Sequence, residues 1–416
     1  MFMDKFIAKR IGNFIKKERE NQNLSLRALA ADCYISHTML ADIEKGKISP
    51  PNDILNLIYK GLEIDETLIE QINKSEGIKQ MFNIFFDYVY NQDNEKANKI
   101  FQDLIKVEDL ISNNLFYIDF CLIKLIYYTV YNKNSKMRSE LITILDKNIE
   151  NLTAEELVLF NIYKSQFLID RNNLKEAELL LKDAENLTQD DRYHSLIYDS
   201  LGIVYTLNDK IALSITYFIK AKGIFDLKLN YVRSLYACTN ISVAYIYSKA
   251  YEDAIKSCQE CISIAERLNL HKVIMINAYN LSYIYLVTKQ YEKVNYFVNL
   301  SLKHGNPDNG IYWHNAYSFY KLNEFKSSSY WIEEGRSKLL SSEKMMSQLY
   351  DYLEYRINND LNSSIKILEL LLEEKQYDSS FNNQDRKFIL KEILELGFIT
   401  SNNQIITKFG QELVDS

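Results

Sequence analysis

The sequence predicts an all-α protein: a small N-terminal domain of short helices, then a long body of repeated helix pairs. Three observations predict it. Only 3 proline and 11 glycine residues punctuate 416, and 47% of residues are hydrophobic, so long helices run with few breakers. Apolar residues recur at helical spacing from the first turn of the chain. Between residues 198 and 285 one pattern returns every 40 residues, the mark of a repeat architecture.

The first helix is expected from Asp4 to about Glu20, with Phe6, Ile7, Ile11, Phe14 and Ile15 on one face. Lys9, Arg10, Lys16, Lys17 and Arg19 occupy the other faces, as a solvated surface or as phosphate contacts. Leu24 to Pro50 reads as two short helices and a tight turn. Ser25 caps the first helix, and Leu26, Leu29 and Ala30 form its apolar face. Ile35 plugs the turn, Ser36 caps the second helix, and Leu40 and Ile43 point it inward. Gly46 ends that helix, because glycine accepts the left-handed conformation. Pro51 opens a further helix carrying Ile54, Leu55, Leu57 and Ile58 up to Gly61. Residues 63–77 read as a helical connector, so five helices are expected in and beside the head.

A capped, partly polar second helix behind an apolar turn is a helix-turn-helix pattern. On Leu29-Ala30, Ile35-Ser36 and Ile43-Glu44-Lys45-Gly46-Lys47 running to Pro50, residues 1–62 resemble the Cro/repressor-like helix-turn-helix domain. Leu26 stands where that family often has Gln, and Asp42 puts an acid on the DNA-reading helix. The resemblance implies double-stranded DNA as a partner. Ser36, His37, Thr38, Met39 and Ala41 are candidate DNA contacts, the last four facing base edges, with Thr38 able to hydrogen-bond and Met39 to pack on a thymine methyl. Lys45, Lys47, Arg10, Lys17 and Arg27 are the candidate phosphate contacts.

The body follows from register. Tyr198-x-x-Leu201-Gly202-x-x-Tyr205 aligns with Cys238-x-x-Ile241-Ser242-x-x-Tyr245 and Ala278-x-x-Leu281-Ser282-x-x-Tyr285. A second helix follows each, marked by Ser214, Phe218 and Ala221, then Ala254, Cys258 and Cys261, then Val294, Val298 and Ser301. Small residues let paired helices cross closely, while large ones fill the space between pairs. Weaker units are marked by Phe85, Tyr88, Ala97 and Phe101; by Ser165, Ala177, Leu181 and Ala184; by Ala316, Phe319, Ser328 and Ile332; and by Tyr352, Tyr355, Ser364 and Leu368. Residues 115–150 hold a degenerate unit. The pattern resembles a lengthened tetratricopeptide repeat, which implies a right-handed α-solenoid over residues 78–384, with 385–416 as capping helices and eight to nine helix pairs in all.

The totals narrow the function. Net charge is −7. Residues 1–60 hold ten Lys/Arg and seven Asp/Glu, a balance of +3, which leaves 39 basic and 49 acidic residues, or −10, in the remainder. A basic head on an acidic body suits a DNA reader attached to something that avoids DNA. No leader is expected at Met1–Arg10, and Asp119 and Lys124 interrupt the most apolar stretch, Leu115–Val130, so no membrane segment is expected. Five scattered cysteines fit reduced thiols and a cytoplasmic location. No phosphate loop, nucleophile elbow or His pair at metal spacing is present, and no enzyme or cofactor is expected. Cys258-x-x-Cys261 falls on packing positions without a second Cys/His pair. His194, His271, His304 and His314 are expected as dispersed surface or groove residues.

Asparagine is a poor helix-interior residue, yet Asn240 and Asn280 hold one position in consecutive repeats. An amide donates and accepts, so such a ladder can hold a peptide backbone of any sequence. Tyrosines and Trp313 nearby would supply apolar pockets. A repressor-like head on such a body resembles the RRNPP family of peptide-responsive regulators. The resemblance implies a homodimer that reads an inverted repeat in a promoter under control of a short signalling peptide. It implies quorum sensing, with sporulation and toxin genes as expected outputs. The candidate peptide contacts are Asn161, Gln166, Tyr236, Asn240, Asn277, Asn280, Tyr283, Asn315 and Tyr317. The rival expectation is a scaffold whose solenoid binds a partner protein, such as a phosphorelay component.

Overall fold

In the computed structural model, which describes residues 5–64, 80–106, 108, 116–340, 343–373 and 383–415, every regular element is helical. The chain divides into two compact units, residues 1–204 with 223–233 and residues 205–222 with 234–416. Beyond Ile64 the expected connector helix lies outside the described residues, as do the side chains of Phe6 and Ile7.

The head begins the first unit. It comprises α1 (Lys5–Asn21), α2 (Leu26–Asp32), α3 (His37–Glu44) and α4 (Asn52–Gly61). Ile11, Ile15, Leu29, Leu40, Ile43 and Ile58 close its core. Ser25 accepts from Ala28 N at 3.1 Å and Ser36 from Met39 N at 3.0 Å, so both short helices start at the capping residues their sequence provides. Two glycines let α1 cross close to α3. A Cβ on Gly12 would strike the carbonyl oxygen of Ile43, and one on Gly46 would strike the backbone of Lys9. Gly46 also has φ +66, so both its conformation and its surroundings exclude a side chain. Arg19 completes the crossing: its Nε donates to Glu44 Oε1 at 2.6 Å and its Nη2 to Oε2 at 3.0 Å, a two-pronged pair at the end of α3.

Nine helix pairs follow among the described residues. The first unit holds α5 (residues 80–90) with α6 (Asn94–Lys106), α7 (Tyr117–Tyr127) with α8 (Ser135–Lys147), and α9 (Ala154–Ile169) with α10 (Leu174–Leu187). The unit boundary runs through α11 (Asp191–Leu207), α12 (Ile211–Leu227) and α13 (Tyr231–Tyr247). The second unit continues with α14 (Tyr251–Arg267), α15 (His271–Val287), α16 (Tyr291–His304), α17 (Gly310–Lys321), α18 (Phe325–Ser337), α19 (Lys344–Ile357), α20 (Leu361–Glu373), α21 (Asn383–Ile399) and α22 (Asn403–Asp415). One π-helical stretch, Tyr128–Asn132, extends α7 and explains the broken register of that unit.

The small residues read from the sequence are the packing positions. Ser214, Ala254 and Val294, 40 residues apart, are wholly buried, as are Ala221, Cys258, Cys261, Val298 and Ser301. Cys258 and Cys261 are thus helix-packing residues. Helix ends are regular too: Asp209, Leu229, Lys249, Asn269 and Lys289, every 20 residues, have φ between 55° and 61°. The next amide in each case returns to the helix, for example Ala250 N to Tyr245 O at 2.9 Å and Gln290 N to Tyr285 O at 2.8 Å. This left-handed closure satisfies the last carbonyls. It occurs here on residues that are not glycine, which is why the sequence gives few stop signals.

Candidate functional site

The head presents part of the expected DNA face. Ser36, His37 and Thr38 are exposed at the start of α3, while Met39 and Ala41 are half-buried and Met39 packs on the head core. Arg27, Lys17, Lys45 and Lys47 are exposed. The unwelcome charge of Asp42 is partly offset by Lys47 Nζ, 3.5 Å away.

Arg10 is a correction. It is 3% exposed, with Nη2 at 2.9 Å from Glu156 and 3.1 Å from Asp119, and Nη1 donating to the Asn151 carbonyl. A guanidinium enclosed by two carboxyl groups of the repeats is not a phosphate contact. Lys9 donates to Leu152 O at 2.6 Å and Arg19 is held by Glu44, so Arg10, Lys9 and Arg19 all serve packing. Their partners lie about 25 to 146 residues away along the chain, beyond the reach of helical spacing.

Tyr34 was not foreseen. It sits in the turn before α3 with φ +55 and is 90% exposed. Its backbone makes the same left-handed closure as the repeat helices, with Ile35 N returning to Ala30 O at 3.0 Å, and this leaves the ring projecting into solvent beside α3. The sequence clue is an aromatic residue where a turn would take glycine.

Of the candidate peptide contacts, Asn161 and Gln166 lie in the first unit, the former buried and the latter half-buried. In the second unit Asn240, Asn280, Tyr236 and Tyr283 are half-buried. Asn280 Nδ2 is buried with no hydrogen-bond partner. Asn277 is fully buried and donates to Thr239 Oγ1 and Val273 O, while Asn315 is fully buried and donates to Asn295. Their Oδ1 atoms accept nothing. Tyr317 is 4% exposed and donates to Glu392 Oε1 at 2.6 Å. Trp313 is buried edge-on against Phe388. Helix α21 therefore covers the surface on which Tyr317 and Trp313 were expected to receive a peptide. Asn277 and Asn315 are likewise taken up by packing between helices.

Two histidine expectations also change. His314 is wholly enclosed, hydrogen-bonded to Ser282 Oγ at 2.8 Å and flanked by the rings of Tyr279 and Tyr283. His271 and His304 are neighbours, Nδ1 to Nδ1 at 2.9 Å. Burial pushes the His314 imidazole down to about 3. Its folded value lies below the unfolded one, so its contribution to stability is complete above about pH 6.5 and declines as pH falls toward 3. Unfolding free energy of the second unit is expected to drop by up to about 1.4 kcal/mol per pH unit across that window. Urea titrations of wild type and His314→Gln at stepped pH check this; the variant should show a flatter profile.

Comparison with known proteins agrees with this geometry. Residues 15–69 match the helix-turn-helix family. No curated protein sequence matches the chain. Among solved structures, the apo form of the quorum sensor NprR from B. thuringiensis is similar at TM-score 0.65 and 17% identity, covering 82% of this chain and 99% of that one. NprR in complex with its cognate peptide NprX gives TM-score 0.61 at 15% identity, over 81% and 98%. A Rap protein complexed with Competence and Sporulation Factor gives 0.65 at 15%, over 82% and 97%. The chain is thus a helix-turn-helix protein with a tetratricopeptide-type body. Its helical fold is similar to those of NprR and the Rap protein. No helix among the described residues is long and apolar enough to cross a membrane.

Proposed function

We propose that the protein is a homodimeric, cytoplasmic transcriptional regulator that reads an inverted repeat through α3 and responds to a short peptide held by its repeats. The observation that carries the reading is the head: a capped α3 exposes His37 and Thr38, with Lys45 and Lys47 at its far end. Tyr34 joins the candidate contacts from the preceding turn. For the peptide, Asn240 and Asn280 are the preferred holders, because Asn280 keeps a buried donor without a partner. Peptide complexes of NprR and Rap support that part of the reading.

A second reading, a scaffold for a partner protein, is favoured by one observation. Arg10, Arg19 and Lys9 are taken up inside the molecule, which leaves the head fewer free cations for phosphate. Genome-wide occupancy of the tagged protein separates the two. The regulator is expected to give discrete peaks over a shared inverted motif, lost when His37, Thr38 and Met39 are all alanine. On an operator so found, each base contact removed should cost about 1–3 kcal/mol of affinity. Tyr34→Gly should weaken binding while raising the melting temperature of the head by relieving its left-handed strain. Peaks that persist in the triple variant, or no peaks at all, would sink the regulator reading. Sedimentation of the purified protein tests the dimer.

A further inference from the structure

A cavity of about 550 Å³ lies in the first unit, between the head and the first repeats. Its volume falls in the range of small-molecule sites, about 300–1,000 Å³. Lys9 and Gly46 of the head close one side. Phe86 of α5, Ile123 and Ile126 of α7 and Leu159 of α9 make apolar walls. At the polar end stand Asp119 and Glu156.

The two carboxyl groups are not equivalent. Glu156 is satisfied, with Oε1 accepting from Arg10 and Oε2 from the Thr153 amide at 2.7 Å. Asp119 is 4% exposed, and its Oδ2 accepts no hydrogen bond although Arg10 Nη2 stands 3.1 Å away, out of line for one. Charge points the same way. Asp119, Glu155 and Glu156 border the cavity against Lys9, with Arg10 behind them, so three acids face two bases. A buried carboxyl oxygen with an open position in an apolar chamber calls for one charged donor.

We propose that this cavity binds a molecule with an apolar body ending in a single ammonium or guanidinium group, whose N–H donates to Asp119 Oδ2. The body lies against Phe86, Ile123, Ile126 and Leu159. Burial and then Glu156 raise the Asp119 carboxyl well above the usual carboxylate range, and Arg10 only partly offsets them. Because Lys9 and Gly46 belong to the head and the walls to the repeats, an occupant touches both and fastens one to the other.

Calorimetric titration of the full chain with 4-phenylbutylamine, 4-phenylbutanol and 4-phenylbutyrate tests the proposal. The amine is expected to bind at one saturable site about 10- to 100-fold tighter than the alcohol, the range for a hydrogen bond to a charged group. The carboxylate should not bind. Leu159→Trp fills the cavity from its apolar lining and should abolish binding. Ala154→Trp, at an exposed position on the rim, does the same if the first variant folds poorly. Asp119→Asn should bring the amine to the level of the alcohol. Equal binding of amine and alcohol, binding that survives the filled variants, or no saturable binding of the amine would each overturn the proposal.

Discussion

Replacing Arg10 with alanine is expected to destabilise the first unit by about 3–5 kcal/mol at neutral pH, the cost of leaving a buried charge without its partner. Arg10 reaches from α1 into the repeats, where Glu156 and Asp119 surround it and the Asn151 carbonyl takes a further N–H. Burial lowers its basicity, but the two carboxyl groups more than reverse that and hold the guanidinium charged. In wild type the Asp119 side chain, then Arg10 and Thr153, hold Glu156 below its usual range against burial. Without Arg10 the same burial loses its one opposing positive charge there, and Glu156 rises. The sign follows: the loss is full at neutral pH and shrinks as acid protonates Glu156. Arg10→Met with Glu156→Gln should recover part of the loss, because it removes both charges and keeps the volume. Hydrogen exchange along α1 and α9, followed at pH 7 and pH 5, measures the effect. Equal exchange in Arg10→Ala and wild type would show that the contact carries no stability.

Much of the fold was legible because it follows from local rules. Ser25, Ser36 and Gly46 mark helix ends through groups within three or four residues. Ser214, Ala254 and Val294 could be found because a repeat returns the same packing demand every 40 residues. The individual sites were less legible, for a physical reason. Arg10 and Lys16 look alike on a helical face, and only Asp119 and Glu156, more than a hundred residues on, separate a buried clasp from a solvated cation. Asp119 itself was read as an interruption in an apolar stretch. The structure shows it buried, 3.1 Å from the Arg10 guanidinium.

The same limit governed the asparagines. Repeat register places Asn277 on the helix of Asn280 and Asn315 on the first helix of the next pair, and it cannot tell a groove-facing amide from one that bridges neighbouring helices. Asn277 finds Thr239 across the helix interface, and Asn315 finds Asn295. Tyr317 shows how a capping element overrides repeat logic. Its position is that of an inner-helix residue, yet α21 returns from some 75 residues later to cover it.

Glu392→Ala is therefore expected to have the second large effect, about 3–5 kcal/mol in the second unit. Glu392 accepts from Tyr317 at 2.6 Å through one oxygen and from Tyr352 at 2.6 Å through the other. Lys321 stands 3.6 Å from it. Removing the carboxylate strands two buried phenols, each costing about 1–3 kcal/mol, and leaves Lys321 only its outer partner, Glu395. Glu392→Gln keeps an acceptor and should lose about half as much. Both tryptophans of the chain, Trp313 and Trp331, lie in the second unit, and Trp313 meets Phe388 of α21 edge to face at 6.2 Å. Detachment of α21 should thus appear as a red shift of tryptophan emission at urea concentrations that leave helical circular dichroism intact. If emission and helicity change together at the wild-type midpoint, Glu392 is not what holds α21 in place. If α21 detaches first, Tyr317 and Trp313 become exposed. A signalling peptide that binds Glu392→Ala more tightly than wild type would then mark α21 as a competitor for the peptide's surface.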